Sequence, residues 1–442
     1  MKNCIGIRQE NKDLTERRAP LTPPQVQKLV AVPGLKVLVE PAANRVFTEE
    51  EYRRAGAIIT PDLRESNIIL GIKEIPKENL APRQTYFFFS HTIKGQPYNM
   101  PMLKKMMELG DNLLDYELVK NEQGIRQIFF GNFAGYAGMI DSLWALGERL
   151  RWEGFETPLQ EIRPAQRYAS LKEAESAIRE VGREIQQKGL PRELVPLICG
   201  FTGYGRVSKG AQHIFDLLPF EQIPAAGLST FMQKGDFSAS ALYKVEFQEK
   251  DMARLKPGQG AGSSFELQDY FSHPEKYAGQ FEQYVPHLTM IINGIYWEPR
   301  YPRLLTKRYL KELFRQESRP RLRVIGDISC DINGSMEMTV KATNSLNPLY
   351  VFDPFSEKIS DGWEGPGVVV MAVDKLPAEL PREASDFFGN SLLPYISDLA
   401  AADFEQPFQQ VNLPEMFKKA LIVHQGALTP DFRYLEQHLK NV

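Results

Sequence analysis

The chain reads as an α/β protein of two units, each a mostly parallel sheet with helices on its faces. Three observations predict this. Short apolar runs alternate with amphipathic runs through about the first 130 residues. The alternation restarts near residue 190, where an apolar strand enters a glycine-rich turn and a helix follows. A length of 442 residues with 43% hydrophobic residues gives chain and core enough for two or three domains.

Residues 5–8 begin the first strand. Thr22-Pro23-Pro24 opens a helix, with Thr22 as cap and proline in the first turn. Val26, Leu29 and Val30 give that helix one apolar face. Residues 35–40 (LKVLVE) form a strand. Thr48-Glu49-Glu50-Glu51 has the form of a capping box and starts a short helix ending at Gly56. Strands follow at 57–59, 68–72, 86–89 and 113–115, with a helix at 100–109 that carries Pro101 in its first turn. Residues 133–152 form a long helix whose Gly135 and Gly138 admit a close neighbour. An amphipathic helix covers 171–189. The second unit runs through a strand at 194–199, a helix at 207–218, strands at 288–293, 323–329 and 367–374, and a helix at 382–399. Residues 247–284 are polar and irregular, with Lys256-Pro257-Gly258-Gln259-Gly260 at their tip, and read as an insertion.

Composition narrows the function. Lys plus Arg number 53 and Asp plus Glu 56, a net charge of −3, which removes the electrostatic case for a nucleic-acid partner. No window approaches the ~20 apolar residues of a membrane helix, so no membrane role is expected. Met1-Lys2-Asn3-Cys4 runs into polar sequence by Arg8, unlike a signal peptide. Cys4, Cys199 and Cys330 are odd in number and far apart, so a reducing cytoplasm is the easier setting and no disulfide framework is expected. The histidines show no paired ligand spacing, and no metal is expected.

The glycine turn carries the first chemistry. Residues 194–217 read LVPLICGFTGYGRVSKGAQHIFDL. Glycines there permit a tight reversal and a close backbone approach to a pyrophosphate, and the helix N-terminus adds aligned donors. The strict fingerprint wants glycine where Ser208 stands, and an ordinary strand–helix turn is the competing explanation. The next strand region, 222–227, ends without an acid, the nearest being Glu221 and Asp236. Without that carboxylate, NADPH is mildly favoured over NADH. Arg206 and Lys209 could assist, or could form a solvated helix face.

In the first half, Lys73 follows one apolar strand and His91 another, so in a parallel sheet both would leave at the ligand-binding edge. Each suits proton transfer. A surface lysine and a hydrogen-bonded loop histidine are the alternatives. Arg17 and Arg18 stand just before a helix, where guanidinium forks suit carboxylates, or are simply solvated. Glu117 and Arg126 flank the turn at 121–124 and could form an ordinary ion pair.

Together these segments resemble the saccharopine dehydrogenase family, nearest to the lysine–ketoglutarate reductase domain of bifunctional aminoadipic semialdehyde synthases. The carrying segments are ERRAPLTP (16–23), ILGIKEIP (69–76), FFSHTIKGQ (88–96), FTGYGRVSKGAQ (201–212), INGIYWEP (292–299), GDIS (326–329) and LPAELPREASDFF (376–388). The resemblance implies two Rossmann-like domains with an interdomain cleft: residues 1–140 plus 341–442, and 141–340 with the insertion. It implies a reductase module standing alone, without the second enzyme of the bifunctional proteins. The implied reaction joins L-lysine to 2-oxoglutarate and reduces the imine with nicotinamide hydride to saccharopine. Lys73 and His91 match the proton-handling pair, and Arg18, Glu117 and Arg126 match substrate-facing positions. Arg18 alone of the two arginines fits the shared R-A-x-L-T-P pattern. Gly203, Tyr204, Gly205 and Arg206 match the phosphate turn. Asn293, Ile295 and Tyr296 match the segment near the nicotinamide, and Asp327 a later strand end, where a turn aspartate is the alternative. The remaining readings are an NAD-dependent, lysine-forming saccharopine dehydrogenase, another opine or amino-acid dehydrogenase, and a nucleotide-binding regulatory subunit.

Overall fold

The computed structural model describes residues 3–13, 15–258 and 265–440. Gln259 and Gly260 of the expected insertion tip, and Met1 and Lys2, lie outside the described residues. The chain divides into two compact units, Met1–Gly131 with Pro381–Val442, and Asn132–Leu380.

In the first unit, strands β1 (Cys4–Ile7), β2 (Lys36–Val39), β3 (Ile58–Ile59), β4 (Ile68–Leu70), β5 (Thr85–Phe88) and β6 (Asn112–Asp115) are all parallel, in the order β6-β5-β4-β1-β2-β3. Helices α1 (Pro23–Val30), α2 (Glu49–Arg54) and α3 (Met100–Leu109) connect them. The α1 cap is reciprocal in part, with the Gln25 amide oxygen accepting from the Thr22 N–H at 2.8 Å. At α2 both halves of the box form: Thr48 N–H to Glu51 at 2.6 Å, and Glu51 N–H to Thr48 Oγ1 at 3.2 Å. The strands read as near-continuous apolar runs because both sheet faces are covered.

In the second unit, α4 (Phe133–Trp152) packs on α6 (Arg206–Phe215), and α5 (Leu171–Lys188) lies between them in sequence. A Cβ on Gly135 would fall 2.0 Å from the Val207 carbonyl oxygen, and one on Gly210 would fall 2.4 Å from that of Asn132. The two helices therefore cross backbone to backbone. The strands are β7 (Ile198–Thr202), β8 (Phe220–Gln222), β9 (Leu242–Phe247), the hairpin β10 (Ala253–Leu255) and β11 (Tyr277–Gly279), β12 (Met290–Asn293), β13 (Val324–Asp327), β14 (Leu349–Phe352), β15 (Ile359–Asp361) and β16 (Val368–Met371). The main sheet runs β15-β14-β16-β13-β12-β7-β9-β8, with β14 antiparallel to both its neighbours. Finally β17 (Leu421–His424) and β18 (Ala427–Leu428) join the first sheet antiparallel, beside β6.

Three expectations need correction. The first unit ends at residue 131 and resumes at 381, not at 140 and 341. The reason is that α4 packs on β13 and that β14 and β16 extend the second sheet. The strand expected at 194–199 forms at 198–202. The insertion is not irregular throughout, since it holds the β10–β11 hairpin and a helix, Leu267–Ser272. No helix among the described residues is long and apolar enough to cross a membrane.

Candidate active site and dinucleotide site

The carboxyl edge of the first sheet gathers the titratable residues. β4 and β5 pair in parallel with Leu70 opposite Phe87, so Lys73 and His91 leave at the same edge. β1 sends Glu10 there as well. The Glu10 carboxylate is 6% exposed and accepts the backbone N–H groups of Ile72 at 2.7 Å and Lys73 at 3.0 Å. It thereby clasps the turn that carries Lys73. Burial, with Glu16 nearby, raises the Glu10 carboxyl above its ordinary value.

His91 is fixed from two sides. Its backbone holds φ 48°, a left-handed conformation uncommon for a side-chain residue. The Asn99 amide donates to the carbonyls of Ser90 at 3.0 Å and His91 at 3.3 Å, and Asp115 accepts from the Ser90 N–H at 2.9 Å. His91 Nδ1 lies 2.7 Å from Glu74 Oε1. An ionised carboxylate only accepts, so Nδ1 carries the hydrogen and Nε2 is left to exchange protons. Lys12 pairs with the other Glu74 oxygen at 2.9 Å. Burial alone would raise the Glu74 carboxyl, but hydrogen bonds from His91 and Lys12 outweigh it and hold it well below the usual carboxylate range.

Arg18 does not face solvent. Its guanidinium forks onto Glu16, Nε to Oε1 at 2.7 Å and Nη2 to Oε2 at 2.5 Å, and lies 3.9 Å over the Phe130 ring. Burial pushes Glu16 up, but Arg18, and Lys73 after it, bring the carboxyl below its ordinary value. Arg17 is exposed. Arg126 lies 3.7 Å from Glu117 and 5.1 Å over the Phe89 ring, with both members of the pair about one-third exposed. Burial lowers the Arg126 guanidinium from its ordinary value.

Sequence reasoning missed Glu10, Glu16, Glu74 and Asn99. Glu16 and Glu74 stand inside the segments ERRAPLTP and ILGIKEIP, and Glu74 adjoins Lys73. A second charged residue beside a candidate base was the available signal.

The second unit holds the glycine turn. Gly203 has φ +76°, where a Cβ would meet Ile295 Cγ2 at 2.9 Å. Gly205 caps α6 without a side chain, and a Cβ there would meet nothing within 4 Å. The ten-residue helix thus begins at a residue with no side chain and open space where its Cβ would stand. That is the cradle a pyrophosphate needs, and the residues fit a dinucleotide. A cavity of about 380 Å³ opens beside the turn, lined among others by Gly203, Tyr204, Gly205, Ile295 and Tyr296.

Asn293 and Asp327 are not among its lining residues. The Asn293 amide is used up inside the unit. It accepts from Thr202 Oγ1 at 2.7 Å and donates to Asp327 at 2.8 Å and Ser335 at 2.9 Å. Thr339 donates to the other Asp327 oxygen at 2.5 Å. Burial raises Asp327 to about 6 against these hydrogen bonds. The network ties together the carboxyl ends of β7, β12 and β13. Arg206 is exposed at the start of α6.

The strand beside β7 toward the β8 edge of the sheet is not the next one in sequence. The neighbour of β7 is β9, while β8 lies beyond it at the sheet edge. At the end of β9 stand two carboxylates, Glu246 and Glu249. Glu246 accepts from Gln212 at 2.9 Å, and Glu249 lines the cavity. The Glu249 charge pushes the Tyr204 hydroxyl up from its ordinary value.

Residues 6–137 match the alanine dehydrogenase/PNT N-terminal domain, and residues 244–431 the C-terminal domain of that family. The chain belongs to the alanine dehydrogenase/PNT family. This is a family of nicotinamide-dependent dehydrogenases. Within the family, it is 35% identical to the mitochondrial alpha-aminoadipic semialdehyde synthase of Bos taurus, over 100% of this chain and 48% of that protein. It is 36% identical to the Arabidopsis thaliana synthase, over 99% and 42%. The chain therefore spans about half the length of these relatives. Saccharopine dehydrogenase [NAD(+), L-lysine-forming] of Candida glabrata is 27% identical over 90% of the chain and 92% of its own length. The solved structure of an L-alanine dehydrogenase shares the fold, with a TM-score of 0.59, 20% identity and 99% coverage of both chains. A Sinorhizobium meliloti transhydrogenase gives 0.57 and 16%, over 96% of this chain and all of its own.

Proposed function

We propose that the protein is a saccharopine-forming reductase that condenses L-lysine with 2-oxoglutarate and reduces the resulting imine. The observation that supports it best is the convergence of Lys73, Glu74 and His91 from two neighbouring parallel strands, in a chain 35% identical to an aminoadipic semialdehyde synthase. When bound, the dinucleotide supplies the hydride.

The chain's own residues supply position and protons. Lysine's ε-ammonium must lose a proton to attack the ketone, and water must leave the carbinolamine. We assign these transfers to Lys73 and to His91 Nε2. Glu74 sets the imidazole tautomer and ring direction, as a carboxylate behind a catalytic histidine does. Glu10 fixes the Lys73 turn. Arg18 takes a positioning role, holding Glu16 ionised near Lys73. Arg126 is the available cation for a substrate carboxylate, and Glu117 the matching acceptor for an ammonium group.

For the cofactor, the carboxylates Glu246 and Glu249 beside the turn favour NADH. A ribose 2′-hydroxyl can donate to such an acid, whereas a 2′-phosphate is repelled by it. A cytoplasmic setting belongs to the same proposal. It rests on the three cysteines being odd in number and far apart in the sequence.

The test is dinucleotide oxidation, followed by absorbance, with lysine and 2-oxoglutarate together and with each omitted. Turnover that needs both and prefers NADH is expected. Preference for NADPH would overturn the cofactor assignment and keep the reaction. Lys73→Met and His91→Gln should each lower turnover more than ~10-fold. Full activity in both would remove them from the mechanism.

A further inference from the structure

The cavity beside the glycine turn has an unusual wall. Six aromatic side chains line it: Tyr204, Tyr270, Phe271, Tyr296, Trp297 and Tyr301. Tyr270 and Phe271 come from the helix Leu267–Ser272 in the insertion. That helix is braced from below. Asp269 accepts from Lys276 Nζ at 2.7 Å and from the Tyr277 hydroxyl at 3.0 Å. Tyr270 and Tyr301 pack at a tilt of 43° with ring centroids 5.3 Å apart, and Phe271 meets Tyr301 edge-on at 6.4 Å. Trp297 is pinned by its indole N–H to the Pro302 carbonyl at 3.1 Å. Yet Phe271 is 40% exposed, Tyr204 39% and Tyr296 78%. An aromatic ring braced by its neighbours yet reachable, as Phe271 is, suits a flat ligand.

The position of the wall says which flat ligand. A dinucleotide has two ring systems, one on each side of its pyrophosphate. The cavity runs from the turn to Glu249 at the end of β9, and Glu249 is the acid placed for the adenosine ribose. The ring attached to that ribose is adenine. Ile295 and Tyr296, which the resemblance set near the nicotinamide, line the same cavity as Glu249 and on this reading belong to its adenosine end.

We infer that the insertion, through Tyr270 and Phe271 together with Tyr301, forms the adenine-stacking wall of the dinucleotide site. This rests on the cofactor assignment above and gives the insertion its role. The side chains offer π faces more than hydrogen-bond readout, so binding here comes from stacking.

The test uses the full chain and three probes by calorimetry: NADH, ADP-ribose, and reduced nicotinamide mononucleotide, which lacks adenine. Phe271 is exposed, so its truncation leaves the core intact. Phe271→Ala should weaken NADH and ADP-ribose by about 10- to 100-fold, the range for loss of one base-stacking aromatic. Phe271→Trp should restore both. Binding of the mononucleotide should not change. If NADH binds the unaltered chain but Phe271→Ala binds ADP-ribose equally well, the adenine wall is wrong while the cofactor assignment stands. If the unaltered chain binds no NADH, both fall together.

Discussion

At the residue scale, two buried carboxyls should respond to pH in opposite directions. Glu74 is held below its ordinary value in the folded state, because His91 and Lys12 outweigh the cost of its burial. Its contribution to stability is present above the unfolded carboxyl value and is lost as pH falls through the folded one. Glu74→Gln should therefore cost about 2 kcal/mol at neutral pH, the scale of charge-assisted hydrogen bonds, with the deficit shrinking below about pH 4. Asp327 is the reverse case, raised by burial to about 6. The folded state then binds more protons than the unfolded state between the two values, so stability falls as pH rises through that window. Asp327→Asn has the same shape and can still bond Asn293 and Thr339. It should flatten that fall. Urea midpoints at pH 4, 5, 6 and 7 for the parent and both variants would check the two slopes. A parallel pH response in both variants would contradict the assigned causes.

At the scale of elements, two glycines of the second unit separate packing from binding. Gly135 lies on α4 where a Cβ would sit 2.0 Å from a carbonyl of α6. Gly135→Ala must push the helices apart, and a stability loss of about 3 kcal/mol or more is expected. Gly205 has ordinary extended backbone and open space around it. Gly205→Ala should leave the denaturation midpoint unchanged and weaken dinucleotide binding, because the methyl occupies the phosphate approach. Comparing chemical denaturation with NADH affinity for the pair tests both. Much of this scale was legible in the sequence. The α4 span, both early caps and the glycine turn follow from side chains a few residues apart. The strand at 242–247 was not, because its short run LYKVEF mixes charge with apolar residues.

At the scale of the whole molecule, the first unit depends on chain from both ends of the sequence. Phe388, Phe417 and Leu421 share its core with Phe87 and Tyr116. The Ser385 hydroxyl accepts the Ala19 N–H at 2.9 Å, and β17 covers the β6 edge of the sheet. A chain ending at residue 380 should leave that core open and the β6 edge unpaired. Limited proteolysis should then degrade the first 131 residues while a fragment near 132–380 survives. Equal resistance of both parts would show that the first unit closes without its C-terminal segment.

The sequence by itself determined where most helices and strands lie, that Lys73 and His91 leave strands of one class, and that a glycine turn at residues 200–205 joins a strand to a helix. These follow from periodicity, caps and glycines, which act over a few residues. Only the tertiary structure decided which strands are neighbours. It set β9 rather than β8 beside β7, and so put Glu249 on the lining of the cavity beside the glycine turn. It added β14 and β16 to the second sheet, moving the return to the first unit from 341 to 381. It turned Arg18 onto Glu16 and Glu74 onto His91. Strand order and charge pairing depend on which distant segments bury one another's surface, and no local pattern encodes that choice.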